Sequence, residues 1–410
     1  MEKIMTENLR EINSCEVCGS AHLESVLNLG LHPMCDDLVP IGDARICKEY
    51  PIEILYCPEC RTAHQRFQIP KEQLFPQTYH YRSKNTSDVL SGMEELVLTC
   101  VKNLGQLSNK KILDVGCNDG SLLGFFREQG ANTFGFEPTR AYLDAQSAGH
   151  TVIHAYFTEE TAQDFVVRYG QPDIITFTNV FAHIEDLGQT LRAINILRHP
   201  ETTIVVENHY LGAIFKHKQF DTFYHEHSRT YSYGSFVKIS ENLGMNISLV
   251  EFPSRYGGNI RVLFKSQVAG KKMSHHRIEE IQIEEENFGA YFNILMAEMT
   301  DWRKVKSAEI ARAVSLYGAL VAKAFPGRAA IPLKMLGLDQ TMVSAVYEKP
   351  QSDKIGHYVP GTRIPILSDV SILLDHPEGS PILNLAWHID QEIKGYMQKQ
   401  GYEGQYINII

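Results

Sequence analysis

The sequence predicts an α/β protein with a central parallel sheet covered by helices on both faces. Three observations carry that expectation. Between residues 111 and 207, short apolar runs alternate with helix-like segments. The first run ends in Asp114 and Gly116 and turns through Asn118 and Gly120 into a helix start, while the second ends in Glu137. Apolar runs resume near the C-terminus, so a second α/β unit is expected there. At 410 residues the chain is long enough for two or three domains.

The N-terminal part has a different character. Six of the eight cysteines precede residue 61, and four of them form Cys15-x-x-Cys18 and Cys57-x-x-Cys60. Two thiolates at this spacing can bite one tetrahedral ion, so these four are candidate ligands of a structural zinc. A segment this short, with few large apolar residues, needs such a staple. The gap between the pairs exceeds that of a usual zinc ribbon, so a small insertion is expected to loop out. Cys35 and Cys47 fall within it and read as unpaired thiols.

In the central part, strands are expected at 112–115, 133–137, 151–154, 173–178 and 202–207. Helices are expected at 121–129 and 141–147, from a Thr158 cap onward, and at 186–197. Gly116 and Gly120 would let the backbone pass close to a ligand. Glu137, ending the second strand, can accept both hydroxyls of a ribose. Asp114, Asn118 and Asn179 join these three as candidate cofactor-binding residues. A strand, a glycine turn, a helix, a second strand and an acid, in that order, form the layout of an S-adenosylmethionine (SAM) site in a Rossmann-like domain.

Beyond residue 207 the alternation breaks. Residues 209–233 are dense in His, Tyr and Phe, which suits an active-site loop. Strands are expected at 247–252 and 260–265. A charged, solvated connecting helix is expected over 274–312, with no functional role for Glu279, Glu280, Glu284, Glu285 or Glu286. The C-terminal unit should hold strands at 313–316, 342–347 and 381–385 and a turn at 360–362. It lacks a complete dinucleotide fingerprint, so a second cofactor is not expected. The expected division is a zinc-binding domain at 1–75, a SAM domain at 76–300 and a Rossmann-like domain at 301–410. Two α/β units suggest a shared site in the cleft between them.

A net charge of −10 argues against nucleic acid or an anionic membrane as the main partner. No apolar run is long enough to span a bilayer. The polar first 13 residues do not read as a signal peptide. A cytoplasmic, reducing location is expected, with the cysteines as thiols or metal ligands. The oligomeric state is left open, a monomer included.

Three segments point at one chemistry: Tyr79-His80-Tyr81, the run Asn179 to Ile184 containing His183, and Tyr224-His225-Glu226-His227. His and Tyr can abstract a proton or hydrogen-bond a developing oxyanion. Glu226 could orient an imidazole or hold a hydroxyl. His225-x-His227 could bind a metal, but no third ligand is obvious, so acid/base work ranks first.

Together these motifs resemble the three-domain sugar C-methyltransferases of deoxysugar biosynthesis, over nearly the whole chain. The paired Cys-x-x-Cys, Gly-Cys-Asn-Asp-Gly-Ser-Leu-Leu, Asn-Val-x-Ala-His-Ile and Phe-Asp-x-x-Tyr-His-Glu-His match in order, the last being the most specific. Arg255-Tyr256-Gly257-Gly258-Asn259-Ile260-Arg261 is similar to a family segment with Tyr in place of His. Tyr81-Arg82-Ser83-Lys84 is more basic than the family's sequence there. Leu316 and Ala324 replace glycines of a C-terminal pattern that keeps Lys323.

The resemblance implies methylation of a carbon next to the ketone of a nucleotide-linked 4-keto-6-deoxysugar, carried on dTDP or similar. It implies His227 as the base that forms an enolate. Tyr224, Glu226 and His183 would hold the enolate and hydroxyls, with one of Tyr79 and Tyr81 as the N-terminal active-site tyrosine. O- or N-methyl transfer on the same scaffold is a rival reading, and a non-catalytic zinc- and SAM-binding assembly module another. The Tyr-His-Glu-His loop discriminates, because a binding module has no use for a base.

Overall fold

The computed structural model describes residues 9–266 and 275–410. The polar start read over 1–13 lies outside them up to residue 8, as does residue 274 of the charged stretch.

The central sheet has seven strands. Their spatial order is Asn246–Glu251, Asn259–Lys265, Thr203–His209, Ile174–Thr178, Lys111–Val115, Asn132–Phe136 and Thr151–Ile153. The last five run parallel, and the first two add an antiparallel edge. The strand order reverses between Lys111–Val115 and Ile174–Thr178. In such sheets a crevice opens there, beyond the carboxyl ends of the strands. Each expected strand and helix of the central part is present, with ends shifted by one or two residues. Thr158 caps its helix through a reciprocal bond with Thr161, at 3.2 and 2.9 Å.

The N-terminal unit is a four-stranded antiparallel sheet rather than a knuckle with a loop thrown out. The sequence between the cysteine pairs forms a long hairpin, Glu24–Pro33 against Glu49–Cys57, which continues into Thr62–Gln65. Its fourth strand, Arg229–Thr230, comes from the central unit. Val39–Pro40 pairs with His357–Tyr358 of the C-terminal unit. The N-terminal unit is therefore joined to both others through backbone pairing.

The C-terminal sheet is parallel throughout, in the order Ile366–Ser368, Val343–Glu348, Leu320–Lys323, Ile382–Asn384 and Tyr406–Asn408. The strand expected at 313–316 is instead the last turn of a long helix, Phe288–Tyr317. That helix ends at Gly318 in the left-handed region (φ 80°), and the strand follows at Leu320. Helical register set upstream by buried Phe288, Phe292 and Leu295 overrides the strand-like alternation of 313–316. The same helix passes through residue 300 unbroken. Ala324 adopts φ 63°, a conformation that favours glycine, which accounts for the family's glycine at this position.

Glu285 corrects the reading of the charged stretch as a solvated face. It is buried and accepts hydrogen bonds from the Tyr233 and Gly234 amides (2.6 and 2.9 Å) and from the Tyr210 hydroxyl (3.1 Å). The carboxylate satisfies the first turn of the helix Tyr233–Leu243, where two orphan N–H groups point. Among the described residues no helix is long and apolar enough to cross a membrane.

Candidate active site and metal centre

Cys15, Cys18, Cys57 and Cys60 converge, with all four sulfurs within 4.8 Å of one another. The Cys15–Cys60 and Cys18–Cys57 pairs stand 3.4 and 3.6 Å apart. A tetrahedral zinc with sulfurs at about 2.3 Å spaces them about 3.8 Å apart, so the residues fit the ion. The His64 ring lies 3.3 Å from the Cys15 sulfur, and the Thr62 hydroxyl 3.0 Å from that of Cys60, an outer layer of the kind that orients metal ligands. Cys35 and Cys47 are buried free thiols.

A cavity of about 710 Å³ opens at the switch point of the central sheet and extends to the C-terminal unit. Asp114, Gly116, Asn118, Glu137 and Asn179, five of the expected cofactor residues, line it. Gly116 (φ 72°) passes so close to Val180 that a Cβ would stand 2.6 Å from a Val180 methyl. Asn118 and Asn179 also adopt positive φ, 50° and 53°, which asparagine tolerates better than most residues. Burial raises the Asp114 carboxyl to about 7, although it accepts the Thr176 hydroxyl at 2.6 Å. Gly120 is not among the lining residues. It packs against Ala145 and His150, so its missing Cβ serves helix packing rather than approach to a ligand.

Glu137 is buried at the end of its strand. Its Oε1 accepts the Thr139 amide and hydroxyl (2.8 and 2.6 Å), and its Oε2 accepts the Asn118 amide (2.9 Å). Of roughly four lone-pair sites on a carboxylate, one on Oε2 remains. In this arrangement Glu137 can take one ribose hydroxyl, not two. The basic residues of 81–84 are also accounted for. Arg82 and Lys84 both pair with Asp144, at 2.9 and 3.1 Å, and the Ser83 and Lys84 amides bond Asn118 and Asp119.

The His-rich cluster lines the same cavity. His183, Tyr224, Glu226 and His227 all line the cavity, with Tyr79 and Tyr81. The His227 ring centroid lies 4.2 Å from Tyr224, 5.0 Å from His183 and 5.1 Å from His209. His227 Nδ1 is 2.9 Å from the Thr222 carbonyl oxygen, which can only accept. The hydrogen is therefore on Nδ1, and the neutral ring keeps its lone pair on Nε2. Burial, reinforced by His183 and His209, holds His227 well below the ordinary histidine range, so the ring is neutral at physiological pH. Burial likewise lowers His183 to about 4.

Tyr79 donates to Glu226 Oε2 at 2.9 Å, whereas Tyr81 is 39% exposed and accepts from the Asn118 side chain through its carbonyl oxygen at 3.1 Å. Burial, with Asp36 nearby, raises Glu226 to about 8. His225 points away, donating to the Tyr50 carbonyl at 3.1 Å, and is not among the cavity-lining residues. With the two rings so divided, His225-x-His227 does not form a metal pair. Among the described residues, the four-cysteine cluster alone has metal-ligand geometry.

Several cavity residues were not among the expected site residues, although His209 opens the expected 209–233 loop. His209 and His388 line the cavity and are held neutral by burial. Arg328, from the C-terminal unit, forms a fork with Asp221 of the loop, both bonds 2.8 Å, and Trp387 donates to the same carboxylate at 3.1 Å. The Phe-Asp of the loop motif was the available signal for Asp221. Nothing local in the sequence marks Arg328 as its partner.

Residues 15–75 match a family model described as a zinc binding domain, 87–249 a methyltransferase domain, and 254–410 a C-methyltransferase C-terminal domain. The chain is 28% identical over 395 residues to the C-methyltransferase NovU of Streptomyces niveus, covering 95% of this chain and 93% of that one. It is 35% identical over 95 residues to the ubiquinone biosynthesis O-methyltransferase of Escherichia coli O127:H6, 22% of this chain and 38% of that protein. Magnesium protoporphyrin IX methyltransferase from Synechocystis PCC 6803, solved with bound SAM, aligns with 44% of this chain and 80% of its own at 15% identity and TM-score 0.33. Zinc-type cysteines, a methyltransferase sheet with its cavity, and a C-methyltransferase C-terminal domain follow one another in a single chain. The chain thus belongs to the three-domain, SAM-dependent C-methyltransferases, with a zinc-binding unit at its N-terminus.

Proposed function

We propose that the protein methylates the carbon next to the ketone of a nucleotide-linked 4-keto-6-deoxysugar, through an enolate. The division of labour is that of the sequence: 1–75 holds zinc, 76–300 holds SAM and 301–410 helps hold the nucleotide-sugar. The observation that carries the reading is His227. It is a neutral imidazole inside the cavity, with Nδ1 tied to the Thr222 carbonyl and its basic Nε2 left over. A carbon acid needs such a base, and an O- or N-methyl acceptor needs it less. His227 takes the proton from the carbon. Tyr224, His183 and Glu226, which is kept as the carboxylic acid at neutral pH, hold the enolate oxygen and neighbouring hydroxyls. Tyr79 positions Glu226. SAM, when bound, supplies an electrophilic methyl group to that carbon. A cytoplasmic location suits eight cysteines of which none is in a disulfide and four are proposed to hold zinc.

The test compares a nucleotide-linked 4-keto-6-deoxyhexose with the same sugar reduced to the 4-alcohol. Transfer from labelled SAM should require the ketone. Equal transfer to the alcohol would favour O-methylation instead.

Glu137→Ala should weaken SAM binding by roughly ten- to hundredfold, the worth of one hydrogen bond to a charged acceptor. Calorimetry giving unchanged affinity would show that the ribose lies elsewhere.

Glu226 yields a pH prediction. Its folded pKa is about 8, above its unfolded value, so it favours the folded state most at low pH, and that contribution is lost as pH rises through about 8. Ionisation also places a negative charge beside the developing enolate. kcat/KM should therefore fall with an apparent pKa near that value. Glu226→Gln, which imitates the neutral acid, should remove this basic limb while retaining activity at pH 7. A basic limb that persists in the glutamine variant would assign it to another group.

A further inference from the structure

The turn that carries His183 is held largely from outside its own sheet. The Ile184 carbonyl accepts from Arg229 Nη2, the Phe181 carbonyl accepts from the Tyr231 hydroxyl at 3.1 Å, and the Glu185 carbonyl accepts from Arg10 at 3.1 Å. Arg229 is fully buried, and its other nitrogens bond Glu16 and, at 3.1 Å, the Tyr231 hydroxyl. Glu16 lies between Cys15 and Cys18 and also pairs with Arg10 at 2.9 Å and accepts from Gln68 at 2.9 Å. Arg229 itself starts the strand that completes the four-cysteine sheet, opposite His64, whose ring touches the Cys15 sulfur. The Ser228 carbonyl, next to His227, accepts from the Gln65 amide at 3.0 Å. Ser232 and Ser235 both bond the Cys60 carbonyl, at 3.2 and 3.3 Å.

We propose that Arg229 is a positioning residue that couples the metal site to the catalytic cluster, by clamping the His183 turn to the zinc-ligand loop through Glu16. The functional half of this inference rests on the proposed role of His183 and His227. A planar guanidinium with a fixed fork can hold a carboxylate, a carbonyl and a hydroxyl at once, and a lysine ammonium on a flexible stem cannot reproduce that fork. With the metal bound, Glu16 is fixed by its cysteine neighbours, Arg229 is fixed by Glu16, and the carbonyls flanking His183 follow. Without the metal, the cysteine loop is released and the turn loses its outer anchor, while the cofactor strands Lys111–Val115 and Asn132–Phe136 keep their own ladder.

The experiment measures hydrogen exchange by mass spectrometry on the full-length zinc protein, the chelator-stripped protein, Arg229→Lys and, as the milder variant, Glu16→Gln. Zinc content, SAM affinity, kcat and KM are measured beside it. Faster exchange over 180–186 and 224–231 is expected in all three altered forms, with the peptide covering 111–120 unchanged. Arg229→Lys and Glu16→Gln should keep about one zinc per chain and lose at least tenfold in kcat with little change in KM for SAM. A merely structural role would lower thermal stability and leave kcat per folded molecule intact. Unaltered exchange over 180–186 in stripped protein or in both variants overturns the clamp. Faster exchange with unchanged kcat would reduce Arg229 to a structural tie and overturn its positioning role.

Discussion

His227→Asn is expected to slow methyl transfer by about 10²–10⁴-fold, the usual worth of a general base. Asparagine can still donate from its amide to the Thr222 carbonyl, so the local bond that orients the residue need not be lost. What disappears is the basic nitrogen. SAM affinity should stay near that of the parent protein, because Asp114, Gly116 and Glu137, proposed to hold it, sit at the ends of the strands Lys111–Val115 and Asn132–Phe136 and not in the His227 loop. The split matters more than the size: kcat falls and the Kd for SAM does not. Turnover within a few-fold of the parent would move the base to another group, with His209 next in line because it shares the cluster.

Removing the metal is expected to have the largest effect on stability. Structural zinc contributes on the order of 10 kcal/mol in small zinc units. Here the four ligands sit under a sheet whose interior is Ile52, Ile54 and Tyr56, each no more than 5% exposed. Purified protein should carry about one zinc per chain, with four sulfurs at roughly 2.3 Å by X-ray absorption. Chelation or Cys15→Ser should abolish folding of the N-terminal unit. Turnover should then fall as well, because Arg229–Thr230, which begins two residues after His227, pairs with that unit. Absence of metal, or a melting temperature unmoved by its removal, would contradict the assignment.

Local signals carried the sequence reading a long way. The period of the apolar runs, the Thr158 cap and the two cysteine pairs each act over a few residues, and each is where the sequence put it. The cavity likewise gathers Tyr79, His183, Tyr224, Glu226 and His227 from segments far apart in the chain. What the sequence hid is set by distant partners. Nothing near Glu285 says that it will cap a helix some 50 residues earlier in the chain, as its bonds to Tyr233 and Gly234 show. Tyr79 and Tyr81 are two residues apart, and no local signal tells which one turns in to meet Glu226 and which one stays exposed. His225 and His227 share a motif, yet one donates to the N-terminal sheet and the other lines the cavity. Residues 313–316 have a strand's composition, but they continue a helix begun at Phe288. Arg229 lies two residues past the motif, with no local pattern to mark it, and its partners come from three segments.

The most direct test of the central claim counts deuterium. A nucleotide-linked 4-keto-6-deoxyhexose is prepared with deuterium on the carbon beside the ketone, and the label lost per methyl transferred from SAM is measured. Methylation of that carbon through an enolate predicts one deuterium released for each methyl gained, with the methyl attached to the ring carbon by NMR. Methyl transfer with the deuterium fully retained would place the new bond on oxygen or nitrogen and contradict the account.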